Sequence, residues 1–376
     1  MRALPAGRLS PLVGNATHEP GDHAPLRVVY FGTYERDYPR NAQVISCLRR
    51  AGVAVDELHE SVWEGRRHRW RAGLGTAVRL ATAEARLLRR RPREFDALVV
   101  GYPGHLDLPA ARRAARGRPV VFNPLVSLAD TFIADRARFG ARSLAARALE
   151  LIDRRALGAA DLVVADTYAH ASFFASLTTT RIEVCYVGAE ERLFRPGWKR
   201  PDKFTALFVG KLIPLHGVDV ILGAARRAPE LSFRIVGSGQ FEHLLVACPP
   251  NVEHVPWVEY HSLPGELHRA GCALGIFGTT AKAQRVIPNK AFQALACATP
   301  LVTAETPAAR ELLVEGKSAL LVPPGDPDKL ASALRRLAAD AQLANALSAE
   351  GRAAYEKAAS ESVLGTRWRE LIERLL

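Results

Sequence analysis

Short unbroken apolar runs alternate along the chain with stretches whose apolar residues recur every three or four positions. In the first half the runs fall at 26–31, 53–57, 95–100, 119–122, 161–165 and 183–187, separated by helical periodicity at 41–50, 75–90, 110–115 and 143–157. Val, Leu, Ile and Phe without an alternating polar face predict strands buried on both sides, as in a parallel sheet covered by helices. At 188–203, GAEERLFRPGWKRPDK, charge together with Pro196, Gly197 and Pro201 interrupts the pattern and predicts a linker. A second series follows at 204–209, 233–236, 252–256, 273–277, 301–304 and 319–322, with helices in the gaps and three more at 328–339, 342–358 and 363–376. The expected fold class is α/β, two tandem Rossmann-like domains with a cleft between them. Their expected bounds are 25–195 and 196–358, with a flexible tail at 1–24 and a C-terminal helix at 359–376 packing back on the first domain.

At 376 residues the chain exceeds what one core usually supports, in keeping with two domains. No run of eighteen apolar residues occurs, and the start lacks the charged-then-apolar pattern of an export signal, so the expected location is the cytoplasm, extending to the inner face of the membrane. Cys47, Cys185, Cys248, Cys272 and Cys297 stand singly in apolar runs, which predicts buried thiols in a reducing compartment. Of the net charge of +12, residues 1–195 carry +9 (30 Arg against 21 acids). Arg66, Arg67, Arg69 and Arg71 around Trp63 and Trp70, then Arg86 and Arg89 to Arg91 with Arg93, make a basic surface suited to an anionic acceptor or to peripheral contact with a membrane. No nucleic-acid-binding motif accompanies this charge, and a nucleic-acid partner is not expected.

Open parallel sheets bind ligands outside the carboxyl ends of their strands. The residues there are Gly32 and Thr33 in the first half, then Gly210 and Lys211, Gly237, Ser238 and Gly239, Val258, and Thr279 with Thr280 in the second. The stretch 279–300, TTAKAQRVIPNKAFQALACATP, adds the cations Lys282, Arg285 and Lys290 around a helix start at Pro288, Asn289 and Lys290. The positive end of a helix dipole among cations suits a phosphate-bearing donor. Neither a dinucleotide fingerprint, a Walker loop nor HExxH is present. The one Asp-x-Asp, Asp326 and Asp328, stands before a helix, where capping accounts for it, and no metal site is expected.

Gly210-Lys211 with PLHG at 214–217 resembles the G-(R/K)-x4-K-G segment of the retaining GT-B glycosyltransferases of family 4. VGAEERLFRP at 187–196 is similar to that family's NGVDxxxFxP, and 291–334 is similar to its LEAMAxGxPVV…GxxGllVpPgDpexLaxAi segment. FGTYERDYPRN after the first strand sits where the family places a donor-phosphate loop, and the PNK triplet at 288–290 occurs in variants of the family. The resemblance implies GT-B architecture and a metal-independent, hexosyl-type transfer with retention from a nucleotide-diphosphate sugar of UDP or GDP type. No cofactor beyond that co-substrate is implied.

The family's two diphosphate-holding basic positions fall on Lys211 and His216, the second a departure, with Lys282, Arg285 and Lys290 available to supply the missing charge. Its Glu pair falls on Arg285 and Gln293, so sugar preference is expected to differ, while Gln293 keeps an acceptor for ribose hydroxyls. On the acceptor side, His105 and Asp130 are candidates to orient a hydroxyl, and Asp107 either does so or caps the helix at 110–115. Lys211, Arg285, His105 and Asp130 are thus the expected catalytic set. A lipid carrier, a glycan and a small natural product all remain open as acceptors. The same cleft would also serve a sugar-nucleotide epimerase or a nucleotide-sugar-binding protein without turnover.

Overall fold

A computed structural model describes residues 25–36, 38–63, 74–136, 139–140 and 142–376. The expected tail at 1–24, and Arg66, Arg67, Arg69, Trp70 and Arg71 of the basic stretch, lie outside the described residues. The first domain runs β1 (Arg27–Gly32), α1 (Pro39–Arg50), β2 (Ala54–His59), α2 (Leu74–Leu87), β3 (Ala97–Val100), α3 (Leu108–Ala115), β4 (Val120–Phe122), α4 (Leu144–Gly158), β5 (Leu162–Ala165), α5 (Tyr168–Ala175) and β6 (Ile182–Val184). All its strands are parallel, in the order β2-β1-β3-β4-β5-β6. Between β4 and α4 a π-helical turn, Asp130–Asp135, interrupts the connection.

After an irregular stretch the second domain follows: β7 (Thr205–Val209), α6 (Val218–Arg227), β8 (Ser232–Val236), β9 (Val252–Val255), α7 (Leu263–Arg269), β10 (Cys272–Leu274), α8 (Asn289–Ala296), β11 (Leu301–Ala304), α9 (Pro307–Leu312), β12 (Leu320–Val322), α10 (Pro327–Ala339) and α11 (Ala341–Ala359). Its parallel order β12-β11-β10-β7-β8-β9 is that of a dinucleotide-type doubly wound sheet. Both sheets have buried residues on both faces: neighbouring Leu98 and Val99 point to opposite sides of the first, Leu207 and Phe208 to opposite sides of the second, and all four are buried. Strands covered in this way by helices show the continuous apolar runs seen along the chain. Asp326 accepts from the Asp328 and Lys329 amides at 3.0 and 2.9 Å, so the Asp-x-Asp pair begins α10 as a cap.

A last helix, α12 (Glu361–Glu373), crosses back to the first domain. Its Leu364, Trp368, Leu371 and Ile372 join Val44, Cys47 and Leu48 of α1 in one core. Glu361, 5% exposed, receives the Ser46 hydroxyl at 3.2 Å, and the Arg40 guanidinium lies 5.7 Å from the Trp368 ring centre. Arg40 also donates to Asn123 Oδ1 and to the Cys185 and Tyr186 carbonyls, which ties α1 to the ends of β4 and β6. Replacing Trp368 by Ala is expected to lower stability by about 3–5 kcal/mol in denaturant unfolding. A loss below about 1 kcal/mol would contradict this anchoring role.

Candidate functional site

The strand order reverses between β1 and β3 in one sheet and between β7 and β10 in the other. Connections leaving neighbouring strands at such a point depart to opposite faces and open a crevice. The residues following β1 (Thr33), β7 (Gly210, Lys211) and β10 (275–287) therefore belong to two crevices, and hydrogen bonds between the 282–285 segment and the π turn join them.

The geometry of the second crevice is set by two glycines. Gly237 has φ 140°, and a Cβ there would come within 1.9 Å of the Gly210 carbonyl oxygen, so the loop after β8 reaches the loop after β7 only because Gly237 carries no side chain. Gly210 in turn is flanked by Lys290 and His216: a Cβ on it would lie 2.8 Å from Lys290 Nζ and 3.3 Å from His216 Cε1. Lys290 is the second residue of α8, whose N-cap, Pro288, offers no side-chain cap. Its ammonium lies 3.7 Å from the Phe208 ring centre, is buried, and makes no hydrogen bond. Burial holds its pKa well below the ordinary lysine value. His216 Nδ1 faces the Lys211 carbonyl, and the ring stands edge-on to Phe208. Burial first, then the Lys290 charge, keep the imidazole pKa well below its usual value. Lys211 is exposed on the same loop, and Asn289 and Ser238 are half-buried around it. Gly210, Gly237, His216 and Lys290 thus lie together at the start of α8, with Lys211, Ser238 and Asn289 on the adjoining loop and helix ends.

Lys282 and Arg285 are placed differently from expectation. Lys282 is 6% exposed and donates to Thr131 Oγ1 at 2.7 Å, while Arg285 pairs with Asp130 Oδ1 at 2.6 Å and stacks 4.0 Å over Phe173. Both cations are bonded to the first domain and so clamp the two domains together, while the Lys282 charge also bears on His216. Asp130 is correspondingly corrected from a free acceptor-side base to an ion-pair partner. His105 is corrected too: it is 4% exposed, its Nε2 lies 3.4 Å from Asp153 Oδ1, and it abuts Phe122, while burial lowers its pKa. Asp153 holds the Ser127 hydroxyl and the Leu128 and Ala129 amides, so His105 buttresses the approach to the π turn. Asp107 caps nothing with its side chain; it takes the Thr33 amide at 2.6 Å and the Thr33 hydroxyl at 3.0 Å, and its Oδ2 fills the space beside Gly32.

Gln293, 7% exposed, donates to the Tyr260 hydroxyl at 3.3 Å, and Tyr260 donates to Glu190 at 3.2 Å. Val258 is half-buried beside Tyr260, and Thr279 is exposed after β10. Sequence reasoning missed Tyr260 and Glu190; the acid in the VGAEE run that opens the linker was the available signal. It also missed Glu311, whose carboxylate receives the Tyr168 and Ala169 amides at 2.8 Å across the seam, and the buried Asp166–His170 pair at 2.5 Å. Among the described residues no group of three or more His, Cys, Asp or Glu is arranged to hold a metal ion.

An anion seated by Lys290 and His216 raises both pKa values, so its binding takes up protons. UDP-glucose, whose diphosphate carries no titrating proton near neutrality, is expected to bind more weakly as pH rises, measured by calorimetry in two buffers of different ionisation enthalpy. His216→Gln should flatten that dependence. In the free protein the sign is opposite: below about 6.5 the unfolded chain protonates His216 and the folded one resists, so stability falls on acidification. Lys290→Met, which removes a buried ammonium without a hydrogen bond, is expected to raise the melting temperature without ligand and to abolish the rise that UDP causes. Retention of the full UDP response would remove Lys290 from the pocket.

Residues 203–340 match the family model described as glycosyl transferases group 1. Among curated proteins the chain is 26% identical over 256 residues to D-inositol 3-phosphate glycosyltransferase 1 of Catenulispora acidiphila, covering 58% of this chain and 57% of that one. It is 28% identical over 220 residues to D-inositol 3-phosphate glycosyltransferase of Acidothermus cellulolyticus, covering 49% and 48%. The chain thus spans about half the length of the curated relatives it matches. Among solved structures, sucrose-phosphate synthase from Thermosynechococcus elongatus superposes with a TM-score of 0.71 at 15% identity, over 94% of this chain and 99% of that one. HepE of Anabaena in complex with UDP and glucose gives a TM-score of 0.66 at 15% identity, over 93% and 100%. The chain has the two-domain fold of GT-B glycosyltransferase structures, and its second domain, over residues 203–340, matches the glycosyl transferases group 1.

Proposed function

We propose that this protein is a glycosyltransferase that moves a hexosyl-type sugar from a nucleoside diphosphate sugar to an acceptor hydroxyl, with retention of configuration and without a metal ion. The observation that carries the reading is the Lys290 ammonium, buried beside Gly210 at the start of α8 with no hydrogen bond from the protein to satisfy it. The group 1 match and the superposition on HepE, a protein solved with UDP and with UDP-glucose, support a donor of the UDP type, with GDP as the alternative base.

Lys211, Lys290, and His216 once protonated, hold the diphosphate and stabilise the charge that develops on it. The bond between the anomeric carbon and the β-phosphate oxygen breaks, and its electron pair stays on that oxygen. The acceptor oxygen bonds to the anomeric carbon on the same face, and its proton passes to the departing phosphate. Three basic groups around the phosphates favour charge neutralisation by the protein itself. The excess of Arg in the first domain favours an anionic acceptor, whether a lipid carrier, a glycan or a small natural product.

Incubation with a panel of UDP- and GDP-sugars and candidate acceptors, followed by anomeric NMR of the product, tests the reading. Free nucleotide with a glycoside of unchanged configuration, formed equally in EDTA, is expected. Lys211→Ala should reduce turnover by about 100-fold or more with the fold intact by circular dichroism. An epimerised donor, or binding with no turnover at all, would overturn the transferase assignment.

A further inference from the structure

Where the linker joins the two domains, three separate elements meet around a cavity of about 390 Å³. Arg50 comes from the end of α1 in the first domain, Arg192 and Arg195 from the stretch between the domains, and Arg352 from α11 of the second. Two acids, Glu191 and Glu361, complete its charged wall. A space of this size falls within the range of small-molecule sites, about 300–1,000 Å³.

The two acids are engaged by the fold itself. Glu361 accepts from the Ser46 hydroxyl and the Glu191 amide, each at 3.2 Å, and Glu191 accepts from the Tyr355 hydroxyl at 3.3 Å and the Glu361 amide at 3.0 Å. Both also meet one nitrogen, Nη1 of Arg50, at 3.3 and 3.2 Å, so a single cation answers two carboxylates. Arg192 pairs with Glu190 at 3.0 Å and Arg352 with Glu356 at 2.7 Å, but neither Glu190 nor Glu356 lines the cavity. Arg195 has no carboxylate: its Nε donates to the Glu191 carbonyl at 3.2 Å, and its Nη groups form no hydrogen bond with the described residues. The side chains that line the space, four arginines against two acids, present it with a net charge of +2.

A cavity walled by arginines, with its acids already hydrogen-bonded, selects an anion. A phosphate monoester brings about 1.5 to 2 negative charges and three strong acceptor oxygens, where a carboxylate brings a single charge and two oxygens. More than one guanidinium can share those oxygens through charge-assisted hydrogen bonds. Phe194 and Pro196 form the apolar part of the wall, which suits a phosphate carried on a small organic frame. We propose that this cavity binds a small phosphate monoester through Arg195 together with Arg50, Arg192 and Arg352. Bound there, the ligand ties the linker to both domains. The site is separate from the donor pocket, since none of its lining residues belongs to the loops after β7 and β8 or to α8.

Calorimetry and melting temperatures of the full chain with ribose 5-phosphate, and with ribose as the uncharged control, test the proposal. The Lys290→Met chain is measured beside the native one, which removes any phosphate taken up by the donor pocket from the comparison. Ribose 5-phosphate should bind both chains and raise both melting temperatures, and ribose should do neither. Arg195→Ala breaks no ion pair and should weaken that binding about three- to tenfold; adding Arg192→Ala should take the loss beyond about tenfold. Both side chains are exposed, and neither change should alter the response to UDP, whatever its size. Absence of binding to the Lys290→Met chain, equal binding of ribose, or unchanged affinity in both arginine variants would each overturn it.

Discussion

A lysine ammonium buried on an aromatic face with no hydrogen-bond partner is expensive to maintain, and Lys290 is held in that state by everything around it. Phe208 on β7 supplies the ring, Gly210 leaves room for the ammonium, and Gly237 lets the next loop close over Gly210. A side chain at either glycine would displace the cation or separate the loops. The doubly wound sheet is therefore more than a scaffold here: its switch point fixes where a charge that the protein does not itself satisfy can persist.

The remaining cations of the cleft do different work. Arg285 and Lys282 reach across to Asp130 and Thr131, and Glu311 receives the first amides of α5. Three contacts of opposite polarity, two from basic side chains and one from an acid, thus hold the lips of the cleft. Arg285 and Lys282 are thus engaged across the seam, while Lys211 and Lys290 lie on the loop after β7 and at the start of α8.

Apolar runs made both sheets legible in sequence, because strands covered on both faces show as unbroken Val, Leu and Ile, and the helices at 328–339 and 342–358 were equally plain. The pocket around Gly210, Lys211 and Lys290 was legible for a related reason: small and basic residues after strands are not needed for packing. Arg285 and Asp130 were not, since a local charge cluster says nothing of a partner 155 residues away. His105 misled because a histidine after a strand looks the same whether it faces a cleft or Phe122. Helix α5 was passed over since YAHASFFA, with its aromatics on several sides, has no amphipathic stripe to betray it.

The first domain is closed by residues from the far end of the chain. Glu361 and Ser46, which meet between α12 and α1, are 315 residues apart. During synthesis the α1 face of the first sheet, with Val44 and Leu48, waits uncovered while the entire second domain emerges and acquires its own core. Completion of the two folding units is thus inverted relative to their order on the ribosome: the half made first is the last to bury its core.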